Sequence, residues 1–275
     1  MKTSINFFSK MFFLIWIIVP VVFILIYPSV KSYPHYLKIL NIGLFIYVLL
    51  FSVIIHELAH GYAARMCGDY TADQAGRLTL NPIPHISIVG SILVPLTLFL
   101  LNVNTLIGWA KPVPFNPVNL RQHPRDQVML AIAGPLSNFT LSYLCFSLFL
   151  LAGFMFKFLY PASSVSLQFD ITSPISFPGI SFEAFWIVMF QILNTGILIN
   201  LALGVFNLIP FPPLDGSWLL KALLPQKASL FLAKIQNYGF ILLIVAVQFN
   251  LLDIFFYPVS IIYMLFFQLT HICLG

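Results

Sequence analysis

The chain has 275 residues, 60% of them hydrophobic and only 8% charged, with a formal net charge of +5 and a mean hydropathy of +0.98. Ordinary soluble domains carry roughly 25% charged residues, so this composition excludes a soluble enzyme, a disordered chain and a nucleic-acid binder. In a membrane protein the basic residues instead mark the loops that face the cytoplasm.

Crossing about 30 Å of hydrocarbon takes roughly 20 apolar residues in a helix. The first apolar run, Met11–Ile26, follows Lys2 and Lys10 like a signal peptide. Only Tyr27-Pro28-Ser29 follows it, so it reads as an uncleaved first helix. The second run is Leu40–Arg65, and the third, Ile86–Leu101, is short and carries Pro95 in its middle. Gln127–Tyr160 is longer than one span needs, and Glu183–Leu208 is the fifth run. The last, Tyr238–Cys273, is broken by Asn250 and Asp253, as one long helix or as a hairpin. Charge bears on the third run. Arg65 and Arg77 precede it, Lys111, Arg121 and Arg125 follow it, and the loop 161–182 holds no Lys or Arg. A full crossing and a re-entrant hairpin both suit the run, but re-entry puts both basic flanks in the cytoplasm, together with Lys221, Lys227 and Lys234. Lys31 and Lys38 then lie outside and fit poorly.

Ionisable groups at membrane depth are costly and are functional candidates. The chain has only eight acids and six histidines, and three of these fall together inside an apolar run. His56, Glu57 and His60 form HExxH. Residues four apart lie about 40° apart around a helix, so both imidazoles face one point. Two neutral imidazoles at that spacing chelate zinc, with the intervening glutamate placed to act on water. A buried polar knot for helix packing is the alternative, but three such groups in hydrocarbon are expensive without a metal or partner.

A catalytic zinc needs a third protein ligand. Asp215 follows the break Ile209-Pro210-Phe211-Pro212-Pro213-Leu214, and irregular backbone at membrane depth is tolerated only beside protein or a water-filled cavity. An aspartate there is well placed to meet a buried metal. It sits at the cytoplasmic end of its span, as does His60. Cys67 is near in sequence, but the three cysteines (Cys67, Cys145, Cys273) form no CxxC pair and no disulfide framework.

HELAH on an apolar helix, with NLIPFPPLDG far downstream, resembles the site-2 protease family of intramembrane zinc metalloproteases. Ala133–Asn138, Gly76–Pro82 and Gly108–Pro114 resemble segments of its compact bacterial members, which lack PDZ and CBS domains. The resemblance spans roughly Leu40 to Leu224. It implies that His56, His60 and Asp215 ligate the zinc, one Zn2+ per chain, and that Glu57 is the catalytic base. Gly134-Pro135 is read as opening a helix with Asn138 about a turn inside. Asn138 then has two readings, a donor to the tetrahedral oxyanion or an interhelical hydrogen bond. Asn200 and Asn207 share a helix face and either hydrate a cavity or pack helices. The alternation Arg77-Leu78-Thr79-Leu80 offers a strand edge to which an unwound substrate can pair.

The expected architecture is an all-α polytopic membrane protein with about five to six transmembrane helices, a re-entrant segment and a short β-like loop beside a buried zinc site. It forms one domain over residues 1–275, with its catalytic core near 40–224. The expected function is an intramembrane zinc endopeptidase in the cell membrane, with its site toward the cytoplasmic face. Its expected partners are transmembrane protein substrates, the lipid bilayer and regulatory membrane proteins. Other readings make different demands. A membrane HExxH protease of another sort needs a glutamate ligand, and only Glu183 is available, on the opposite side. A metal transporter needs further His or Asp residues along several helices. An inactive chaperone-like relative is also conceivable, although every catalytic position is intact.

Overall fold

The computed structural model describes residues 14–93, 110–122, 124–161, 182–236 and 238–274. The chain is an all-α polytopic membrane protein. In order it forms α1 (Ile15–Val30), α2 (Pro34–Met66), a single turn α3 (Thr71–Gln74), α4 (Arg125–Leu159) and α5 (Glu183–Leu208). Then come α6 (Asp215–Leu223), α7 (Gln226–Gln236), α8 (Gly239–Gln248) and α9 (Asp253–Leu274). Four of them, α2, α4, α5 and α9, are long and apolar enough to cross a membrane.

The helix limits follow from local chemistry. Pro34 occupies the first turn of α2, where its missing N–H costs nothing. At the other end the chain leaves through Gly68 at φ +100°, a left-handed conformation that favours glycine. The helix α4 runs unbroken through Gly134-Pro135, contrary to a helix opening there. Its start at Arg125 is capped from behind, since Asp126 Oδ2 accepts the Gln122 N–H at 2.8 Å. Pro210, Pro212 and Pro213 end α5. The last apolar run divides into α8 and α9, with left-handed Asn250 (φ +55°) between them.

Helices α4 and α5 form the centre, and α2 lies across both. Phe146, Phe149 and Phe156 of α4 interlock with Trp186, Ile187 and Phe190 of α5, and Leu44 and Val48 of α2 close the cluster. The Phe156 and Trp186 rings meet edge-on at 5.2 Å. Outward residues such as Leu25, Ile39, Phe45, Tyr143 and Leu148 are exposed and apolar, as a lipid-facing surface requires. Apolar residues on both faces explain why these helices show no amphipathic stripe. Lys31, just past the end of α1, pairs with Glu183 at 2.6 Å, so one of the two lysines that fitted poorly is neutralised.

Of the third apolar run, residues 86–93 lie within the described residues, with a short helical turn over Ile88–Leu93, and the choice between crossing and re-entry falls outside them. No strand occurs among the described residues. The Arg77–Leu80 stretch is irregular instead, because side chains take its carbonyls: His85 Nε2 donates to Thr79 O at 2.9 Å, and Trp16 Nε1 donates to Leu80 O at 3.0 Å.

Candidate metal centre

His56 and His60 sit one helical turn apart on α2, deep in the packed bundle. The helix α6 begins at Asp215, directly after the proline break. Gly216 permits that start. A Cβ at this position would lie 2.3 Å from Leu208 O and 2.5 Å from Ile209 O, so only glycine lets α6 abut the end of α5. Asp215 Oδ2 is thereby brought 3.0 Å from His56 Nε2 and 3.1 Å from His60 Nε2. The two Nε2 atoms are 3.1 Å apart. Among the described residues, these three are the ones whose ligand atoms converge as a metal site requires.

The donor set fits a cation. His60 Nδ1 donates to the Leu130 carbonyl at 2.8 Å, and His56 Nδ1 donates to Asn138 Oδ1 at 2.6 Å. With both Nδ1 atoms protonated, both neutral imidazoles present bare Nε2 lone pairs toward a carboxylate oxygen. Three electron-rich atoms at that separation repel unless a cation lies among them. Imidazole, imidazole and carboxylate are a familiar zinc set, and the tethered Nδ1 atoms are the usual outer support. The helix α4 presses on the pair from one side: a Cβ at Gly134 would lie 2.3 Å from His60 Nε2 and 2.6 Å from His56 Nε2.

Glu57 lies beside the pair, and its Oε2 accepts the Val113 N–H at 2.7 Å. The segment carrying Val113 is gripped at both ends by buried charges. Arg77 donates to the carbonyls of Lys111 (2.7 Å) and Pro112 (3.3 Å). Asp69 accepts from Asn116 N at 2.6 Å and from Asn119 Nδ2 at 2.8 Å, as well as from Thr71 N and Oγ1.

Burial alone pushes the Asp69 carboxyl up, but hydrogen bonds from Thr71, Asn119 and Asn116 outweigh it and hold the group below its ordinary value. A depressed folded-state value means stability that is present above the unfolded pKa of about 4 and lost as pH falls through the folded one. Asp69→Ala strands several donors and is expected to cost about 1–3 kcal/mol near neutrality. Melting in detergent at pH 7 and in acid checks this: the gap between the two proteins narrows as pH falls. A gap that stays constant contradicts it.

Asn138 differs from one of its two expected roles. Its side chain is fully buried, its Oδ1 is taken by His56, and its Nδ2 donates to Asn200 Oδ1 at 2.8 Å and faces Ser52 O at 3.4 Å. Its amide nitrogen thus faces partners on α5 and α2, which is the interhelical bonding expected of it. Asn207 turns back on its own helix, donating to Leu203 O. Glu183 is held by Lys31 at the far end of α5, away from the histidine pair, which removes the glutamate-ligand reading. Gly134 and Val113 fall within segments the sequence singles out by resemblance, without their role being legible there, whereas Ser52 has no motif of its own. Ser52 and Asn200 are signalled only as small or amide residues inside apolar helices.

The family model described as Peptidase family M50 matches residues 103–247, a stretch that contains Asn138 and Asp215. The chain is 34% identical over 197 residues to the protein of Bacillus subtilis (strain 168) named "Putative zinc metalloprotease YwhC", covering 72% of this chain and 76% of that one. It is 28% identical over 210 residues to "Putative zinc metalloprotease Rip2" of Mycolicibacterium smegmatis (strain ATCC 700084 / mc(2)155), covering 74% and 67%. No solved structure matches the chain significantly.

Proposed function

The chain belongs to peptidase family M50 and is an intramembrane zinc metalloprotease, and from that premise we propose that His56, His60 and Asp215 hold one zinc ion per chain with Glu57 as general base. The observation that carries this reading is the convergence of two bare imidazole nitrogens and one carboxylate oxygen within 3.1 Å of each other. When bound, zinc supplies Lewis acidity, acidifying water and polarising the scissile carbonyl. Glu57 takes the proton from the attacking water and returns it to the leaving amine. The Val113 N–H fixes the carboxylate's direction, and among the described residues no hydrogen bond takes its other oxygen.

The substrates proposed are transmembrane segments of membrane proteins, unwound locally so that their peptide bonds become accessible. The proposed location is the cell membrane, with the site toward the cytoplasmic face. Support comes from charge: Arg65, Lys111, Arg121 and Arg125 lie in sequence between the histidine pair and the start of α4, and Lys221, Lys227 and Lys234 follow Asp215.

Asp215→Ala tests the third ligand. It is expected to bind zinc weakly and to lose cleavage of a reconstituted transmembrane substrate, while α4 and α5 still pack. Full zinc content in this variant overturns the assignment.

A further inference from the structure

Buried behind His56, and untouched by the chemistry above, is a chain of polar side chains that joins three helices. Asn138 of α4 is 0% exposed, Asn200 of α5 is 1% exposed and Ser52 of α2 is 0% exposed. Polar groups at this depth are costly unless fully paired, and these are paired end to end. His56 Nδ1 meets Asn138 Oδ1 at 2.6 Å, Asn138 Nδ2 meets Asn200 Oδ1 at 2.8 Å, and Asn200 Nδ2 meets Ser52 Oγ at 2.9 Å. The Ser52 hydroxyl then donates to Val48 O at 2.8 Å, and Asn200 Nδ2 also donates to Gly196 O at 2.8 Å.

The far end sets the direction of the whole chain. Main-chain carbonyls only accept, so Gly196 O requires the nitrogen of Asn200 on its side. Val48 O takes the Ser52 proton and leaves the hydroxyl's lone pairs for Asn200. Asn200 must therefore turn its oxygen to Asn138, which gives its nitrogen to Asn200 at 2.8 Å, with a longer contact to Ser52 O at 3.4 Å favouring the same orientation, and its oxygen to His56. The imidazole is left one role, donor at Nδ1 and bare at Nε2. A contact serving only to pack helices has no need of a fixed direction that ends on the face of a histidine.

Resting on the assignment of His56 as a zinc ligand, we propose that Asn200 and Ser52 are positioning residues for the metal centre, acting through Asn138 to hold His56 in its metal-binding tautomer and orientation. Ser52 lies one turn before His56 on the same face of α2, so the loop of bonds closes back on the helix that carries the ligand. Outer supports of this kind typically contribute tenfold to a hundredfold in metal affinity.

The test is zinc affinity, measured by competition with a chromophoric chelator in detergent, with the melting of the zinc-free protein recorded beside it. Asn200→Leu keeps the branched outline of the side chain and removes the relay. It is expected to weaken zinc binding about tenfold, the low end of what such supports contribute, because the long Asn138 Nδ2–Ser52 O contact remains. Ser52→Ala is expected to weaken it by a smaller factor, because Gly196 O still orients Asn200, and Ser52→Thr restores it. Adding Asn200→Leu to Asn138→Ala is expected to weaken zinc binding little further, since the relay is already cut. Wild-type affinity in folded Asn200→Leu, or full additivity in the double variant, overturns the proposal. Should Asn200→Leu fail to fold, Asn200→Ala is read by the same criterion. His56→Ala separates the two levels: wild-type affinity there removes the ligand assignment itself, whereas lost affinity there with none lost in Asn200→Leu removes only the relay.

Discussion

Glu57→Gln is expected to abolish proteolysis while zinc remains bound. Glu57 is set between His56 and His60 on α2, and its Oε2 accepts the Val113 N–H at 2.7 Å. Glutamine keeps the length and a carbonyl oxygen for that N–H, so the Lys111–Asn116 segment, clamped by Arg77 and Asp69, has no reason to move. What glutamine cannot do is accept a proton from water. Loss of a general base typically costs about 10²- to 10⁴-fold. The check pairs turnover of a reconstituted transmembrane substrate with zinc quantification on the same sample. Activity within a few-fold of wild type contradicts the role given to Glu57. Lost activity together with lost zinc contradicts the separation of base from ligands.

Gly134→Ala is expected to do the reverse and disrupt the metal site while leaving Glu57 in place. The added methyl would stand 2.3 Å from His60 Nε2 and 2.5 Å from His56 Cε1, inside contact distance of both rings. Neither ring can yield easily, since His60 is tied to Leu130 O and His56 to Asn138 Oδ1. Overpacking of this kind costs about 1–3 kcal/mol, which is roughly tenfold to a hundredfold in zinc affinity. In an unconstrained helix interior the same change is favourable by about 1 kcal/mol. Weakened zinc binding without loss of helix content therefore points to the clash. Wild-type zinc affinity in Gly134→Ala contradicts the packing described.

The sequence carried the chemistry better than it carried the supports, for a physical reason. His56, Glu57 and His60 stand out because ionisable groups are so rare in this chain, and helical periodicity alone aligns the imidazoles. Asp215 is legible because three prolines mark the break beside it. The limits of α5 follow directly from Glu183 and the first proline after it. Gly134 is different. Nothing local distinguishes a glycine that admits two imidazoles from one that opens a helix, and only the approach of α2 to α4 decides it. Asn138 was open between two roles until its partners on α2 and α5 were in view. The Arg77–Leu80 alternation promised an edge, but alternation cannot register that Trp16 and His85 take the carbonyls from elsewhere in the chain.

The central claim, that two imidazoles and one carboxylate hold the zinc, is tested most directly by X-ray absorption at the zinc edge on the purified protein in detergent. The account predicts one zinc per chain, with two imidazole nitrogens and oxygen completing the shell near 2.0–2.1 Å. In His56→Ala the imidazole scattering is expected to fall, since only His60 then supplies an imidazole. A sulfur neighbour near 2.3 Å, or an unchanged spectrum in His56→Ala, would contradict it.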